Sequence, residues 1–298
     1  MYRILNPQAL GISGRQWELI ETALTHRFLG LDIDIGEIVQ KAKTHGMDVA
    51  TQFFTSARVK IGGFELPVRW TGSIVDFKTD LAGLKPVLDA ATALGASRCY
   101  TTIRPTSEDL PFPDNFKFQT ERLTELAAAL AERGIKLGLC LEAAEAQRNN
   151  GGYQFIYQAD PLLLLLQSIG ADNVGLWLDV WNWHVGGGNV EKLRALRVSQ
   201  IIGVRLSDLP AEVADPATAL AEQRLLPGEG GQIDSVAYLS LLQELGYEGP
   251  ISVAAHPSQY KGIKREALVK KAASVMDSLW TAAGIITIPP AGAALAGA

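Results

Sequence analysis

Short apolar runs alternate with amphipathic stretches at helical spacing through most of this chain, and that rhythm narrows the folds open to it. Repeated βα units build a parallel sheet, because each helix returns the chain to start the next strand in the same direction. Eight strands are read, over residues 3–8, 28–33, 49–54, 98–103, 136–142, 174–179, 201–206 and 250–254. Helical spacing of apolar residues predicts helices over 81–94, 120–133, 162–169, 190–196 and 235–245. The punctuation agrees: Asn189 and Asp234 sit where N-caps belong, and Gly95, Gly134, Gly170 and Gly246 where helices stop before a strand. Eight strands in strict alternation favour a single-domain (β/α)8 TIM barrel of the α/β class over an open doubly wound sheet. The barrel is assigned to residues 1–283, and the uncharged, apolar 284–298 to a C-terminal tail.

A length of 298 residues suits one such barrel, and 47% apolar residues supply a large core without covalent staples. Cys99 and Cys140 lie far apart inside apolar runs and read as small buried hydrophobes, as in a reducing compartment. A net charge of −5 with no dense Lys/Arg run argues against nucleic acid as a partner. The opening MYRILNPQALGIS carries no basic-then-apolar signal, and the longest apolar stretch, 161–166, is too short to span a bilayer. The expectation is a cytoplasmic protein acting on a small molecule, with a homodimer or tetramer expected by analogy with other barrels.

Parallel barrels carry their chemistry at the C-terminal ends of the strands. The polar residues expected there are Asn6, Gln8, Asp32, Asp34, Gln52, Arg104, Glu142, Asp179, Arg205, Asp208 and His256. Glu142 ends LGLCL and Asp179 ends VGLWL. A carboxylate closing so apolar a strand costs several kcal/mol, roughly, to desolvate unless a cation, a metal or a substrate meets it. A structural ion pair with Arg205 or Arg104 is the plain alternative. Trp181 and Trp183 fall in the following loop, where they could stack on a sugar face, whereas Trp177 reads as core. Two long stretches, 58–76 and 209–231, follow strand ends and read as active-site loops. A nicotinamide-binding turn is ruled out by NPQALGISG, which has the wrong spacing, and a Schiff-base aldolase by the lack of a strand-end Lys.

The runs LCLE, NVGLWLDVWNWHVGGG, VRLSDLP, RLLPGEGGQID and GYEGPISV, in that order, resemble the sugar phosphate isomerase/epimerase (xylose-isomerase-like) family. The resemblance implies a divalent metal at the barrel mouth, Mn, Mg or Co, held by a Glu, an Asp, a His and a Glu from strands five to eight. Carried over, Glu142 and Asp179 match the first two and would serve as metal ligands and acid–base pair. Arg205 stands where the strand-seven His is often found, Asn182 where another His is often found, and Ala254 where the strand-eight Glu would fall. His184 and His256 are the substitutes at hand, and with Asp208 of the adjoining motif the expected ligand set is Glu142, Asp179, Asp208 and His256. Arg205, Asn182, Trp181, Trp183, His256 and Arg104 are expected substrate contacts. The implied activity is isomerase or epimerase chemistry on a sugar, keto-sugar or inositol derivative, by proton abstraction beside a carbonyl. The alternative is a catalytically silent barrel that binds a sugar or serves as a partner subunit.

Overall fold

Eight parallel strands close on themselves in the computed structural model, which describes residues 1–149 and 151–286. They are β1 (Tyr2–Leu5), β2 (Gly30–Ile33), β3 (Lys60–Glu65), β4 (Arg98–Ile103), β5 (Lys136–Leu141), β6 (Val174–Asp179), β7 (Ile201–Leu206) and β8 (Pro250–Val253). Each pairs with its sequence neighbours, and Tyr2 opposite Pro250 shuts the barrel between β1 and β8. This is the expected (β/α)8 barrel, with helices covering the outside.

The third strand is corrected. Residues 49–54 lie in the helix Met47–Ala57, and the strand is Lys60–Glu65. In 49–54 the buried residues are Ala50, Thr51 and Phe54, whereas Val49 and Phe53 face solvent; that is one helical stripe and not an alternation. The true strand is masked by Gly62 and Gly63, which carry no hydrophobic signal and are poor strand formers. Their reason is space. A Cβ on Gly62 would stand 2.1 Å from Ile4 Cδ1 and 2.5 Å from Asp32 Oδ1, and one on Gly63 2.6 Å from the Trp177 ring.

Trp177 fills the barrel axis. It packs on Tyr100, ring centroids 4.6 Å apart, with Cys140 and Ile202 completing an interior cluster separate from the shell between strands and helices. Both cysteines are free and buried.

The helices sit close to where the spacing placed them, at Lys85–Leu94, Phe112–Ala131, Ala159–Ile169, Val190–Leu193 and Ser235–Glu244. Gly83 breaks off the first turn of 81–94 into a separate helix, Ile74–Ala82. Gly95, Gly134, Gly170 and Gly246 all hold positive φ, between 64° and 72°. Asn189 and Asp234 accept the amides of Lys192 and Ala237 at 3.0 Å each, as N-caps do. No helix among the described residues is long and apolar enough to cross a membrane. Of the tail assigned to 284–298, residues 287–298 lie outside the described residues.

Candidate active site

Side chains alternate along a strand, so Trp177 and Asp179 point the same way, into the barrel. Asp179 is 3% exposed and lies opposite Arg205 in the β6–β7 ladder. Its carboxylate is gripped from two sides. Arg224, from the long loop after β7, donates Nη1 to Oδ2 at 2.9 Å and Nη2 to Oδ1 at 3.1 Å, while Arg205 Nη1 reaches Oδ2 at 3.4 Å. Oδ1 also accepts the Asn182 amide at 3.0 Å, capping the helix Val180–Val185. Both guanidiniums rest on aromatic faces, Arg224 4.9 Å from the Trp181 ring and Arg205 5.5 Å from that of Tyr100.

That packing corrects the expected stacking wall. Trp181 and Trp183 are 0% and 1% exposed, and so offer no free face to a sugar. The first underlies Arg224; the second donates Nε1 to the Asn189 carbonyl at 3.0 Å and is covered by Gly188.

Across the mouth, Asp32 ends the buried run of β2. Asn6 Nδ2 donates to its Oδ2 at 2.6 Å, and Asn6 is itself held by the Ala9 amide on its Oδ1. Oδ1 of Asp32 is buried without a hydrogen-bond partner among the described residues, in the space that Gly62 leaves. Burial pushes this carboxyl up to about 7, against the opposing pulls of Arg205, the nearby Gly63 amide and Asn6. A cleft of roughly 660 Å³ opens here, lined among others by Asn6, Gln8, Asp32, Asp34, Glu65 and Tyr100. Burial also raises the Tyr100 phenol well above its ordinary value.

The remaining expected residues divide. The β5–β6 register, Leu139 opposite Leu176, continues to put Glu142 level with Asp179. Glu142 is half-buried and makes no hydrogen bond or ion pair among the described residues; burial raises its carboxyl, with Arg104 opposing. Arg104 is exposed. Asn182 Oδ1 accepts the Ala143 amide at 3.0 Å, tying the ends of β5 and β6 together. Gln52, expected at a strand end, is an exposed residue of the helix Met47–Ala57.

Asp208 is corrected as a metal ligand. Its Oδ1 accepts the amides of Leu209 and Ile233, and its Oδ2 those of Gly228, Gly230 and Gly231, at 2.7–3.1 Å. Five backbone donors use up its lone pairs, and the residue ties down the PGEGG loop. His256 caps the turn Pro257–Tyr260 and is hydrogen-bonded through Nδ1 to Ser258 Oγ at 2.7 Å. Glu229 lies outside the site, accepting from Tyr260 and from Lys271.

The expected ligand set of Glu142, Asp179, Asp208 and His256 therefore does not fit a divalent ion. Among the described residues no three His, Cys, Asp or Glu side chains are grouped closely enough to hold one. Asp179 is already met by two guanidiniums, whose charge would repel a metal.

Two residues carry this arrangement without having been singled out by the sequence as site residues: Arg224, which merely opens the RLLPGEGG run, and Tyr100, which reads as strand interior. Asp32 stood among the strand-end polar residues with no role attached to it.

Comparison with known proteins agrees with this architecture. A family model described as xylose isomerase-like TIM barrel matches residues 10–279. The inosose isomerase of Halalkalibacterium halodurans is 25% identical over 232 residues, 77% of this chain and 78% of that protein. The inosose isomerase of Bacillus subtilis is 26% identical over 185 residues, 62% of this chain and 63% of that protein. Among solved structures, a xylose isomerase domain protein of Alicyclobacillus acidocaldarius superposes with a TM-score of 0.85 at 22% identity, covering 95% of this chain and 99% of its own. An IOLI protein with a bound zinc atom superposes with a TM-score of 0.79 at 19% identity, covering 97% and 100%. These structural likenesses establish the fold.

Proposed function

This chain belongs to the xylose isomerase-like TIM barrel family, and from that premise we propose that it is an isomerase or epimerase moving a proton beside the carbonyl of a polyhydroxy ketone, with inososes the first class to try. The observation that carries the reading is Asp32. A buried carboxyl brought to about 7, with one oxygen unpartnered and set in the wall of a cleft, is poised to take and return a proton near neutral pH. The curated relatives named above are inosose isomerases, which gives the substrate class.

In this reading Asp32 removes the proton from the carbon next to the carbonyl. The C–H electron pair forms the C=C bond of an enediolate; Glu142 takes the proton of the adjacent hydroxyl and gives one to the former carbonyl oxygen, and return of the Asp32 proton at the neighbouring carbon completes the isomerisation. Glu142, free of partners, is the second acid–base group. Arg104, whose charge reaches Glu142, and Asn182, held by the neighbouring Ala143 amide, supply donors for substrate hydroxyls. Asp179 is engaged by Arg224 and Arg205 and holds them in place. No step is routed through a metal.

The test is proton exchange. The full chain, incubated in D2O with an inosose or a keto-sugar and followed by NMR, is expected to place deuterium on the carbon beside the carbonyl. Asp32→Asn is expected to slow that exchange by about a hundredfold or more. A ligand that raises the melting temperature yet never exchanges a proton would instead favour a barrel that only binds sugars.

A further inference from the structure

We propose that Arg205, seated against Asp179 beside Arg224, takes the anionic oxygen of the enediolate, so that this centre uses a guanidinium where the resemblance calls for a divalent metal.

Three observations carry it. The first is a charge imbalance. Two guanidiniums converge on the single carboxylate of Asp179, and Arg224 alone occupies both of its oxygens. The other acid that Arg205 influences, Asp32, is hydrogen-bonded to Asn6 and not to Arg205. One buried positive charge is therefore left without a full counter-charge, an arrangement that draws in an anion.

The second observation is unused donor capacity. Arg205 carries five N–H groups and spends one on a 3.4 Å contact, while its Nε is buried with no partner among the described residues. A buried unpaired N–H is destabilising, and an enediolate oxygen would relieve it.

The third is position. Arg205 lies over the ring of Tyr100, and Tyr100 lines the same cleft as Asp32. The group that takes the proton and the group that balances the charge thus both neighbour Tyr100, near enough for the charge of Arg205 to act on Asp32. When the α-proton moves to Asp32, the negative charge left on the substrate oxygen is met by Arg205; reprotonation at carbon restores the carbonyl and frees the guanidinium.

The proposal rests on the reaction class above, so its test avoids turnover. The probe is oxalate, a planar dianion that imitates an enediolate, titrated into the full chain after dialysis against EDTA. Oxalate is expected to bind and raise the melting temperature with EDTA present, and Arg205→Met to weaken binding at least about tenfold. Mn(II) alone is expected to give no one-to-one isotherm. Failure of oxalate to bind, unchanged affinity in Arg205→Met, or one-to-one Mn(II) binding lost in Asp179→Asn would each overturn the proposal. If Arg205→Met does not fold, Arg205→Lys decides, since it keeps the charge but loses the fork: wild-type affinity there overturns it and a clear loss supports it. Oxalate binding without any proton exchange on substrates would sink the isomerase reading and leave the anion site standing.

Discussion

Glu142 apart, the carboxylates on the two sides of the barrel mouth follow opposite electrostatic plans. On the β5–β8 side, Asp179 and Asp208 are saturated: one by two arginines and an amide, the other by five backbone amides. On the β1–β4 side, Asp32 keeps an unpartnered oxygen beside an open cleft, with its carboxyl held near neutrality by burial. A saturated carboxylate fixes structure, because each of its lone pairs already has a donor. An unsatisfied one weakens the fold locally and is kept where a reaction uses it. The contrast moves the chemistry away from the strand-six Asp and towards β2.

Removing a saturated group should have the largest effect on stability. Asp179→Ala leaves Arg205 and Arg224 facing each other across a buried gap with no counter-charge. The loss expected is about 3–5 kcal/mol, the range for breaking a buried ion pair from one side, read as a lower urea midpoint at unchanged slope. A change below about 1 kcal/mol would mean that water already screens this pair, and the two sides of the mouth would then not differ as described.

Asp32→Asn should do the reverse and stabilise the protein while stopping proton transfer. The carboxyl rises from its ordinary 3.8 to about 7 on folding, because burial opposes ionisation more than Arg205 favours it; Tyr100, Tyr2 and Tyr247 are the other titratable groups that feel its charge. The folded state therefore binds this proton more tightly than the unfolded chain. Wild-type stability from this group is complete below about pH 4, falls as pH rises towards 7, and is level above that. The variant lacks the penalty, so its advantage, on the order of 2–4 kcal/mol, should be full at pH 8 and shrink steadily towards pH 4. A pH-independent difference between the two melting curves would show that Asp32 does not titrate in this window.

Much of the barrel is legible in the sequence because its signals are local. Strand runs such as LGLCL and VGLWL, the capping residues Asn189 and Asp234, and the glycines at helix ends each act within a few residues. What escapes is set by distant contacts. β3 is hidden because Gly62 and Gly63 serve Asp32 and Trp177, residues far away in the chain, and not their own strand. Arg224 lies 45 residues from the carboxylate it grips, and nothing near it in sequence marks its partner. Trp181 and Trp183 look like an exposed wall because sequence places them in a loop, whereas a short helix and Gly188 fold them inward. Glu142 and Asp179 each end an apolar strand run, but which of them stays free depends on where two arginines come to rest.

The smallest effect is expected from a pair that looks much like Asp179 and Arg224 on paper. Arg69, at the rim of the open cleft, donates Nε and Nη2 to the two oxygens of Asp80 at 2.9 and 2.8 Å, and Nη1 to Asp76 at 2.8 Å. Both pairs are two-pronged, Arg69 through Nε and Nη2 and Arg224 through its two Nη, but the Arg69 side chain is 62% exposed, so water competes for its charge. Asp80 is nevertheless lowered to about 2 by its bonds to Arg69. Exposed ion pairs contribute little even when well aligned. Arg69→Ala should thus leave the melting temperature within about a degree or two of wild type, and salt should erase what difference there is. A loss comparable to that of Asp179→Ala would mean that geometry, and not burial, sets the strength of these pairs, and would remove the basis for treating the two sides of the mouth as different.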